Sequence, residues 1–198
     1  MSEVRTTFRL KLGEAAPDFK LPDPTDDGSA HSLADLMGAN GVLIAFVCNH
    51  CPYVVHLADA MKTFANDVST KGVTTVAISS NDVENYPQDS PAKMKEFAAQ
   101  SGWSFPYLYD ASQEVALAYG AACTPDFFLF DAEGKLFYTG QFDDTRPNHG
   151  IPDGKDLRDA LERMIHRETP PAKVMPSSGC NIKWKQGQQP DWWASGNA

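Results

Sequence analysis

The sequence lacks any apolar stretch long enough to cross a lipid bilayer. Its first twelve residues contain two arginines but no apolar segment of the kind that a secretory signal carries. It also lacks a cluster of basic residues: 17 lysines and arginines stand against 26 aspartates and glutamates, so the formal net charge is −9. A surface with this charge repels nucleic acid and anionic membranes. We therefore expect a cytoplasmic protein that has neither nucleic acid nor a membrane among its partners.

Cysteine is scarce as well, because four cysteines in 198 residues are too few for a disulfide scaffold. Two of them, Cys48 and Cys51, form a CxxC pair, whereas Cys123 and Cys180 stand alone. In a reducing compartment a CxxC pair is redox-active or binds a metal. A structural zinc site needs four ligands, usually from two paired motifs, and the sequence has no second CxxC and no HxxxH. The redox interpretation is therefore favoured, with no metal and no dissociable cofactor.

The remaining composition is ordinary for a folded domain, with 42% apolar and 22% charged residues. The length allows one domain with a substantial core and a tail. After Glu168 the sequence contains prolines, glycines and polar residues without periodicity. We therefore predict a domain over residues 1–168, including an N-terminal extension, and a C-terminal tail over residues 169–198.

The pattern around the CxxC pair predicts a strand, a helix and a second strand. Residues 41–47 and 73–79 are apolar runs of the kind found in strands that are buried on both faces. Between them, apolar residues recur every three or four positions over residues 52–68, which is the spacing of a helix. Pro52 suits the first turn of this helix, where its missing N–H costs little. The order is a βαβ unit with both cysteines at the N-terminus of the helix.

Periodicity further along the chain predicts three more helices and a hairpin. The helices cover residues 91–100, 113–119 and 156–166. Two β-rich runs, at residues 127–130 and 135–139, flank a turn that contains glycine. We therefore predict an α/β fold with a central mixed sheet flanked by helices.

The position of the two cysteines suits thiol chemistry. A thiol attacks a disulfide only as the thiolate, so the site must lower the pKa of one cysteine. The unpaired N–H groups and the dipole at a helix N-terminus favour negative charge there. His50 adds a potentially cationic neighbour that also favours the thiolate. Because two intervening residues let the second thiol reach the first, the sequence predicts dithiol/disulfide exchange.

Three segments carry a more specific signal. They are residues 13–19 (GEAAPDF), the strand that ends at Cys48, and Thr124-Pro125 followed by FFLFD. Over about residues 10–166 the chain resembles the alkyl hydroperoxide reductase/thiol-specific antioxidant branch of the thioredoxin superfamily. The resemblance implies a thioredoxin-like fold. It also implies that Pro125 is a cis-proline that faces the CxxC pair and, with Thr124, helps to hold the backbone of the substrate.

Two subgroups of this branch differ at the site. Peroxiredoxins carry a Pro-x-x-x-Thr-x-x-Cys motif and a later arginine that activates peroxide. Cys51 matches the peroxidatic cysteine of that motif, but Cys48 replaces the threonine and Ile44 replaces the proline. No arginine occurs between Arg9 and Arg146. The TlpA-like thiol-disulfide reductases are therefore the better match, and a peroxiredoxin-like thiol peroxidase is the alternative, ahead of a metal-binding protein.

The roles of the individual thiols stay open at this point. The thioredoxin analogy makes Cys48 the attacking sulfur and Cys51 the resolving one, and the peroxiredoxin alignment reverses them. We choose Cys48, because solvent access normally favours the first cysteine of such a motif. Cys123 could be an accessory thiol if its loop faces the CxxC pair, and Cys180 if the tail folds back. An inert thiol is equally compatible with Cys123 and is the expected state of Cys180.

The predicted enzyme is thus a thiol-disulfide oxidoreductase whose two motif cysteines alternate between a dithiol and a disulfide. Its expected partners are disulfides of proteins or small molecules and an electron donor of the thioredoxin or glutathione type. Trp192 and Trp193 in the tail could anchor a second subunit, so a homodimer is a further possibility.

Overall fold

The computed structural model describes residues 3–193. The strands are β1 (Glu3–Arg5), β2 (Lys20–Asp23), β3 (Ser29–Ser32), β4 (Gly41–Phe46), β5 (Val73–Ser79), β6 (Tyr107–Tyr109), β7 (Cys123–Thr124), β8 (Asp126–Asp131), β9 (Leu136–Gly140) and β10 (Ser178–Asn181). The α-helices are α1 (Leu33–Leu36), α2 (Pro52–Ser69), α3 (Pro91–Ser101), α4 (Glu114–Tyr119) and α5 (Lys155–Ile165). Short 3₁₀ turns cover Pro24–Asp26 and Pro87–Asp89. No helix within residues 3–193 is long and apolar enough to span a bilayer.

The central sheet is mixed, as the sequence predicted. Strand β8 pairs antiparallel with both β4 and β9, and β5 pairs parallel with β6. Strand β5 lies beside β4, where the N–H of Val47 donates to the carbonyl of Ile78 at 2.9 Å. All six residues of β4 are buried, because helices cover both faces of the sheet. The predicted α/β fold with flanking helices is confirmed.

Alternate residues of the segment that contains β4 supply two separate clusters of core residues. Leu43, Ala45 and Val47 join buried residues of α2, α3 and α5, whereas Val42, Ile44 and Phe46 join buried residues of α1 and α4. This division follows from the two-residue period of a strand. Helix α2 contributes seven buried side chains at spacings of three and four: Val54, Leu57, Ala58, Met61, Phe64, Ala65 and Val68. The predicted helices and strands of the domain start and end within one residue of the observed bounds.

The C-terminal segment packs against the rest of the domain. Strand β10 pairs antiparallel with β1 and with β7, so the segment closes a second, three-stranded sheet. Ile182 and Trp184 are buried against the cluster that contains α4. Composition predicted only a tail over residues 169–198, because backbone ladders form with any side chain and leave no periodic pattern in Gly/Ser-rich sequence. Residues 194–198 of that tail lie outside the described residues.

Candidate active site

The CxxC loop lies between the end of β4 and the start of α2. Cys51 is the N-cap residue of α2, with φ −72° and ψ 121°, and Pro52 occupies the first turn as predicted. Cys48 lies three residues further from the helix, so the helix terminus acts mainly on Cys51. The exposed fraction is 1% for Cys48 and 0% for Cys51. Solvent access therefore does not favour the first cysteine, which was the reason for choosing it as the attacking sulfur.

The segment Thr124-Pro125 faces both cysteines. The Thr124–Pro125 peptide bond is cis, as the resemblance implied. Cys48 Sγ lies 3.4 Å from Thr124 Oγ1, and Cys51 Sγ lies 3.0 Å from the carbonyl oxygen of Thr124. These contacts place the predicted substrate-positioning residues directly beside the predicted redox pair.

Strand β10 brings Cys180 to the same place. In the β10–β7 ladder Cys180 is directly opposite Thr124. Thr124 carries the carbonyl oxygen that lies 3.0 Å from Cys51 Sγ, and Cys180 belongs to the same buried cluster as Cys48 and Cys51. The expectation that Cys180 is inert rested on a tail that could not be placed, and the structure instead puts this thiol in contact with the CxxC pair.

Cys123 has a different environment. It precedes Thr124 in β7, and successive strand residues point to opposite faces, so its side chain is directed away from the face that Thr124 presents. It is fully buried and packs with Val4 and Ala122. Burial raises the pKa of the Cys123 thiol well above its usual range. These surroundings are those of a small buried apolar residue.

Hydrogen bonds between the thiols concentrate negative charge on Cys51. Its pKa is lowered first by the hydrogen bond from the Cys180 thiol, then by that from the Cys48 thiol, and also by the backbone N–H groups of Cys180 and Val54. Burial opposes this shift. A protonated Cys51 would donate to the Thr124 carbonyl, but four donors to the thiolate outweigh one acceptor for the thiol, since hydrogen bonds to an ionised group are the stronger kind.

The two neighbouring thiols are shifted in the opposite direction. The hydrogen bond to Cys51 raises the pKa of Cys48, and burial and the nearby Asp89 carboxylate raise it further. The hydrogen bond to Cys51 and burial likewise raise the pKa of Cys180. The lowest pKa of the three thiols therefore belongs to Cys51, whereas the thioredoxin analogy favours Cys48 as the attacking sulfur.

Asp89 is a site residue that the sequence reasoning missed. It lies in the 3₁₀ turn after β5, is fully buried, and accepts hydrogen bonds from the Asn49 N–H at 2.9 Å and from Asn81 Nδ2 at 2.8 Å. Its carboxylate also lies 2.7 Å from His50 Nδ1. Strands joined by a helical crossover end at the same edge of a sheet, but the segment after β5 also contains Asp82 and Glu84, so the sequence did not single out Asp89.

His50 lies at the edge of the site, as predicted, but with its own counter-charge. Its ring stacks on Tyr86 with a centroid distance of 6.1 Å and an interplanar angle of 6°. Any positive charge on His50 is offset at Cys48 by the adjacent Asp89 carboxylate. The effect of His50 on the thiol pKa was predicted from its own charge, and it must be considered together with the opposite charge of Asp89.

Three atoms that could ligate a metal lie together in the site. They belong to Cys48, His50 and Asp89 and are within 4.8 Å of one another. A structural zinc site has four ligands, and both oxygens of Asp89 already accept hydrogen bonds from asparagine and backbone donors. The prediction that the protein works without a metal stays a prediction that a metal analysis can test.

Comparison with known proteins identifies one family, but the relatives in it are named for two different activities. The Redoxin family model matches residues 11–161. Rv2521 of Mycobacterium tuberculosis H37Rv, whose peroxiredoxin name is provisional, is 34% identical over 115 residues, which cover 58% of this chain and 67% of that protein. The thiol-disulfide oxidoreductase ResA of Bacillus anthracis is 27% identical over 128 residues, which cover 65% and 68% of the two chains.

Solved structures extend the similarity to nearly the whole chain. The crystal structure of an uncharacterized conserved protein from Geobacillus kaustophilus is 48% identical, with a TM-score of 0.90, over 94% of this chain and 98% of that one. The thioredoxin domain of a thiol-disulfide oxidoreductase from Bacteroides vulgatus is 19% identical, with a TM-score of 0.58, over 77% and 99%. The second likeness shows the thioredoxin-like fold alone.

Proposed function

The chain belongs to the Redoxin family of the thioredoxin superfamily, and from that premise we propose that it is a thiol-disulfide oxidoreductase that works by dithiol/disulfide exchange. One observation carries the proposal: Cys48 and Cys51 share a buried cluster beside the cis Thr124–Pro125 peptide, with their sulfurs 3.4 Å from the Thr124 hydroxyl and 3.0 Å from its carbonyl oxygen respectively. The two sulfur atoms that would form the disulfide thus lie against the same residue, and the lowered pKa of Cys51 favours the thiolate needed for attack.

The proposed reaction moves two electrons in two displacements. The Cys51 thiolate attacks one sulfur of a substrate disulfide, forms a mixed disulfide and releases the first substrate thiolate. The Cys48 thiol then loses its proton to that leaving group, and its sulfur attacks Cys51 Sγ. The second substrate thiolate leaves, so the substrate disulfide is reduced and Cys48–Cys51 is oxidised. A donor of the thioredoxin or glutathione type would return the enzyme to the dithiol.

Thr124 and Pro125 would position the substrate in this scheme. The carbonyl and hydroxyl groups of Thr124 lie 3.0 and 3.4 Å from the sulfurs of Cys51 and Cys48 respectively. An extended substrate segment that pairs with the backbone at Thr124 would therefore bring its own sulfur to the thiolate. This role is supported by the contacts and by the resemblance to the superfamily.

The test is a thiol titration across a series of redox buffers, with the disulfides mapped by mass spectrometry. We expect the Cys48–Cys51 disulfide to appear with a single midpoint, and the reduced enzyme to reduce insulin disulfides without peroxide. A protein in which Cys48 and Cys51 never pair at any potential would refute the proposal. Zinc or copper that co-purifies with the wild type and is lost from Cys48→Ser would instead support the metal-binding alternative.

A thiol peroxidase is the second candidate, and the lowered pKa of Cys51 at the start of α2 favours it. Three contacts weigh against it: Nη1 of Arg146 donates to the carbonyls of Asp143 and Thr145, and Nη2 donates to Gln141 Oε1, so both terminal nitrogens are engaged by nearby residues. Consumption of hydroperoxide at a rate that depends on Cys51, with a sulfenic acid trapped on Cys51 in Cys48→Ser, would favour the peroxidase.

A further inference from the structure

Strand β10 occupies the edge of β7 next to the cis Thr124–Pro125 peptide. The ladder places Cys180 opposite Thr124 and Asn181 opposite Cys123. Residues directly opposite in an antiparallel pair project from the same face. Cys180 therefore shares with Thr124 the face that lies against the CxxC pair, and this is the position that an extended cysteine-containing substrate segment would take.

The approach of β10 to β7 is unusually close at Gly179. A Cβ atom added at this residue would lie 2.0 Å from the carbonyl oxygen of Thr124. The pairing of β10 with β7, which positions Cys180, therefore requires glycine at position 179. Cys180 is itself 4% exposed and belongs to the same buried cluster as Cys48 and Cys51.

Cys51 is consequently the central sulfur of three. Thr124 joins them: its hydroxyl lies 3.4 Å from Cys48 Sγ, its carbonyl oxygen lies 3.0 Å from Cys51 Sγ, and Cys180 is its direct partner in the ladder. All three sulfurs belong to one buried cluster, so Cys180 lies close to the atom with which it would form a disulfide.

We propose that Cys180 is a third redox thiol, which competes with Cys48 for Cys51 and forms a Cys51–Cys180 disulfide. The inference rests on the dithiol function proposed above. After Cys51 has attacked a substrate disulfide and β10 has paired with β7 again, the Cys180 thiol passes its proton to the released substrate thiolate, and its sulfur attacks Cys51 Sγ. The second substrate thiolate leaves, and Cys51–Cys180 holds the two oxidising equivalents.

The Cys51–Cys180 disulfide can be exchanged for a Cys48–Cys51 disulfide without a further oxidant. Cys48 attacks Cys51 Sγ, the Cys51–Cys180 bond breaks, and the proton lost by Cys48 ends on Cys180. One disulfide and one thiol exist before and after this step, so no electrons are gained or lost. Cys51–Cys180 is therefore the oxidised form while the tail covers the site, and Cys48–Cys51 is the alternative oxidised form.

The test removes Cys48 first and then Cys180, so that the disulfide that each could form with Cys51 is measured separately. Cys48→Ser, Cys48→Ser/Cys180→Ser and Cys48→Ser/Cys123→Ala are equilibrated in glutathione buffers, quenched with acid, alkylated and mapped by mass spectrometry. We expect a Cys51–Cys180 peptide in Cys48→Ser, and its persistence in the Cys123 control. In the variant without Cys180, glutathione should accumulate on Cys51 by about tenfold or more, because no neighbouring thiol displaces it.

The opposite result is equally distinct. If Cys51 is glutathionylated in Cys48→Ser while Cys180 stays free at every potential, Cys180 is not a redox thiol. The wild type reports the proposed function separately, because it would still form Cys48–Cys51 in that case. Circular dichroism verifies the fold of each variant. If Cys48→Ser does not fold, rapid acid quenching of the wild type during oxidation must reveal transient Cys51–Cys180, and its absence there would overturn the inference.

Discussion

Two segments bring sulfur atoms to the active site, and they differ in what holds them there. The CxxC loop lies between a strand with six buried residues and a helix with seven buried side chains. Strand β10 has only four residues, two of them buried, and is held by its ladders to β1 and β7. The CxxC loop is therefore anchored by apolar packing on both flanks, whereas β10 is anchored by its backbone ladders and by apolar packing on one flank, at Ile182 and Trp184.

This difference indicates which part of the site can open. Segments with few buried apolar contacts open at a lower free energy than the core. Cys48 and Cys51 are both buried while β10 is in place, so a substrate that pairs at Thr124 must displace this strand. The same segment would then control both access to Cys51 and the proximity of Cys180.

The largest effect is expected from a substitution in the CxxC loop. Cys51→Ser removes the resting thiolate and should lower the rate of insulin disulfide reduction by about 10³-fold or more, as expected for loss of a nucleophile. Cys123→Ala is the matched control, since Cys123 packs away from the sulfur cluster, and it should keep most of the rate. Substantial activity in Cys51→Ser would show that Cys48 attacks substrate by itself.

The next largest effect is expected at the weakly anchored strand. Gly179→Val places a Cβ against the Thr124 carbonyl, so β10 should separate from β7. At alkaline pH, where an exposed thiol ionises, alkylation of Cys51 should then become about tenfold faster, equivalent to about 1.4 kcal/mol of lost pairing. Met175→Ala changes an exposed side chain of the same segment and should leave the alkylation rate unchanged. An unchanged rate in Gly179→Val would mean that β10 does not gate the site.

Removal of Cys180 should alter the charge of the anchored loop. The Cys180 thiol is the largest cause of the lowered pKa of Cys51, so Cys180→Ala should raise that pKa. In the wild type the thiolate persists as pH falls through neutrality, and in the variant it should be lost at higher pH. A pH titration of thiolate ultraviolet absorbance measures this shift, with Cys123→Ala as the control. Coincident titration curves would contradict the hydrogen bond from Cys180.

The smallest effect on activity is expected at Asp126, which holds the two terminal segments together behind the sulfurs. It accepts a hydrogen bond from Thr6, interacts with Ser177, and its burial raises its pKa to about 7 from an ordinary value of 3.8. Between these values the unfolded chain releases a proton that the folded protein keeps, so stability should fall as pH rises and level off above about 7.

Asp126→Asn tests that pH dependence directly. The fall in the free energy of unfolding across this range should shrink by about 1 kcal/mol or more, since one pKa unit is worth about 1.36 kcal/mol. Denaturant titrations at several pH values measure it, and Asp59→Asn, at an exposed position, is the control. A pH profile that Asp126→Asn leaves as steep as the wild type would exclude Asp126 as its source.

The sequence-based predictions succeeded for features that depend on neighbouring residues and failed for features that depend on contacts between distant segments. The helix after the CxxC pair could be predicted because its buried residues repeat every three or four positions, and the buried strand because its apolar run is continuous. The cis-proline came from resemblance. Asp89 could not be found this way, since its relation to His50 depends on the edge that β4 and β5 share. Cys180 was placed only by a ladder whose Gly and Ser residues carry no periodic signal.

The sequence by itself determined the class of the molecule and the chemistry available to it: an α/β domain with two cysteines where a buried strand meets a helix. Local patterns suffice for this, because helix and strand periods and the N-terminal field of a helix act over a few residues. Only the tertiary structure decided which sulfur holds the charge, since the donors to Cys51 come from the loop, the helix and residue 180 of the tail. Electrostatic interactions between buried groups depend on distance in space, and separation along the chain does not report that distance.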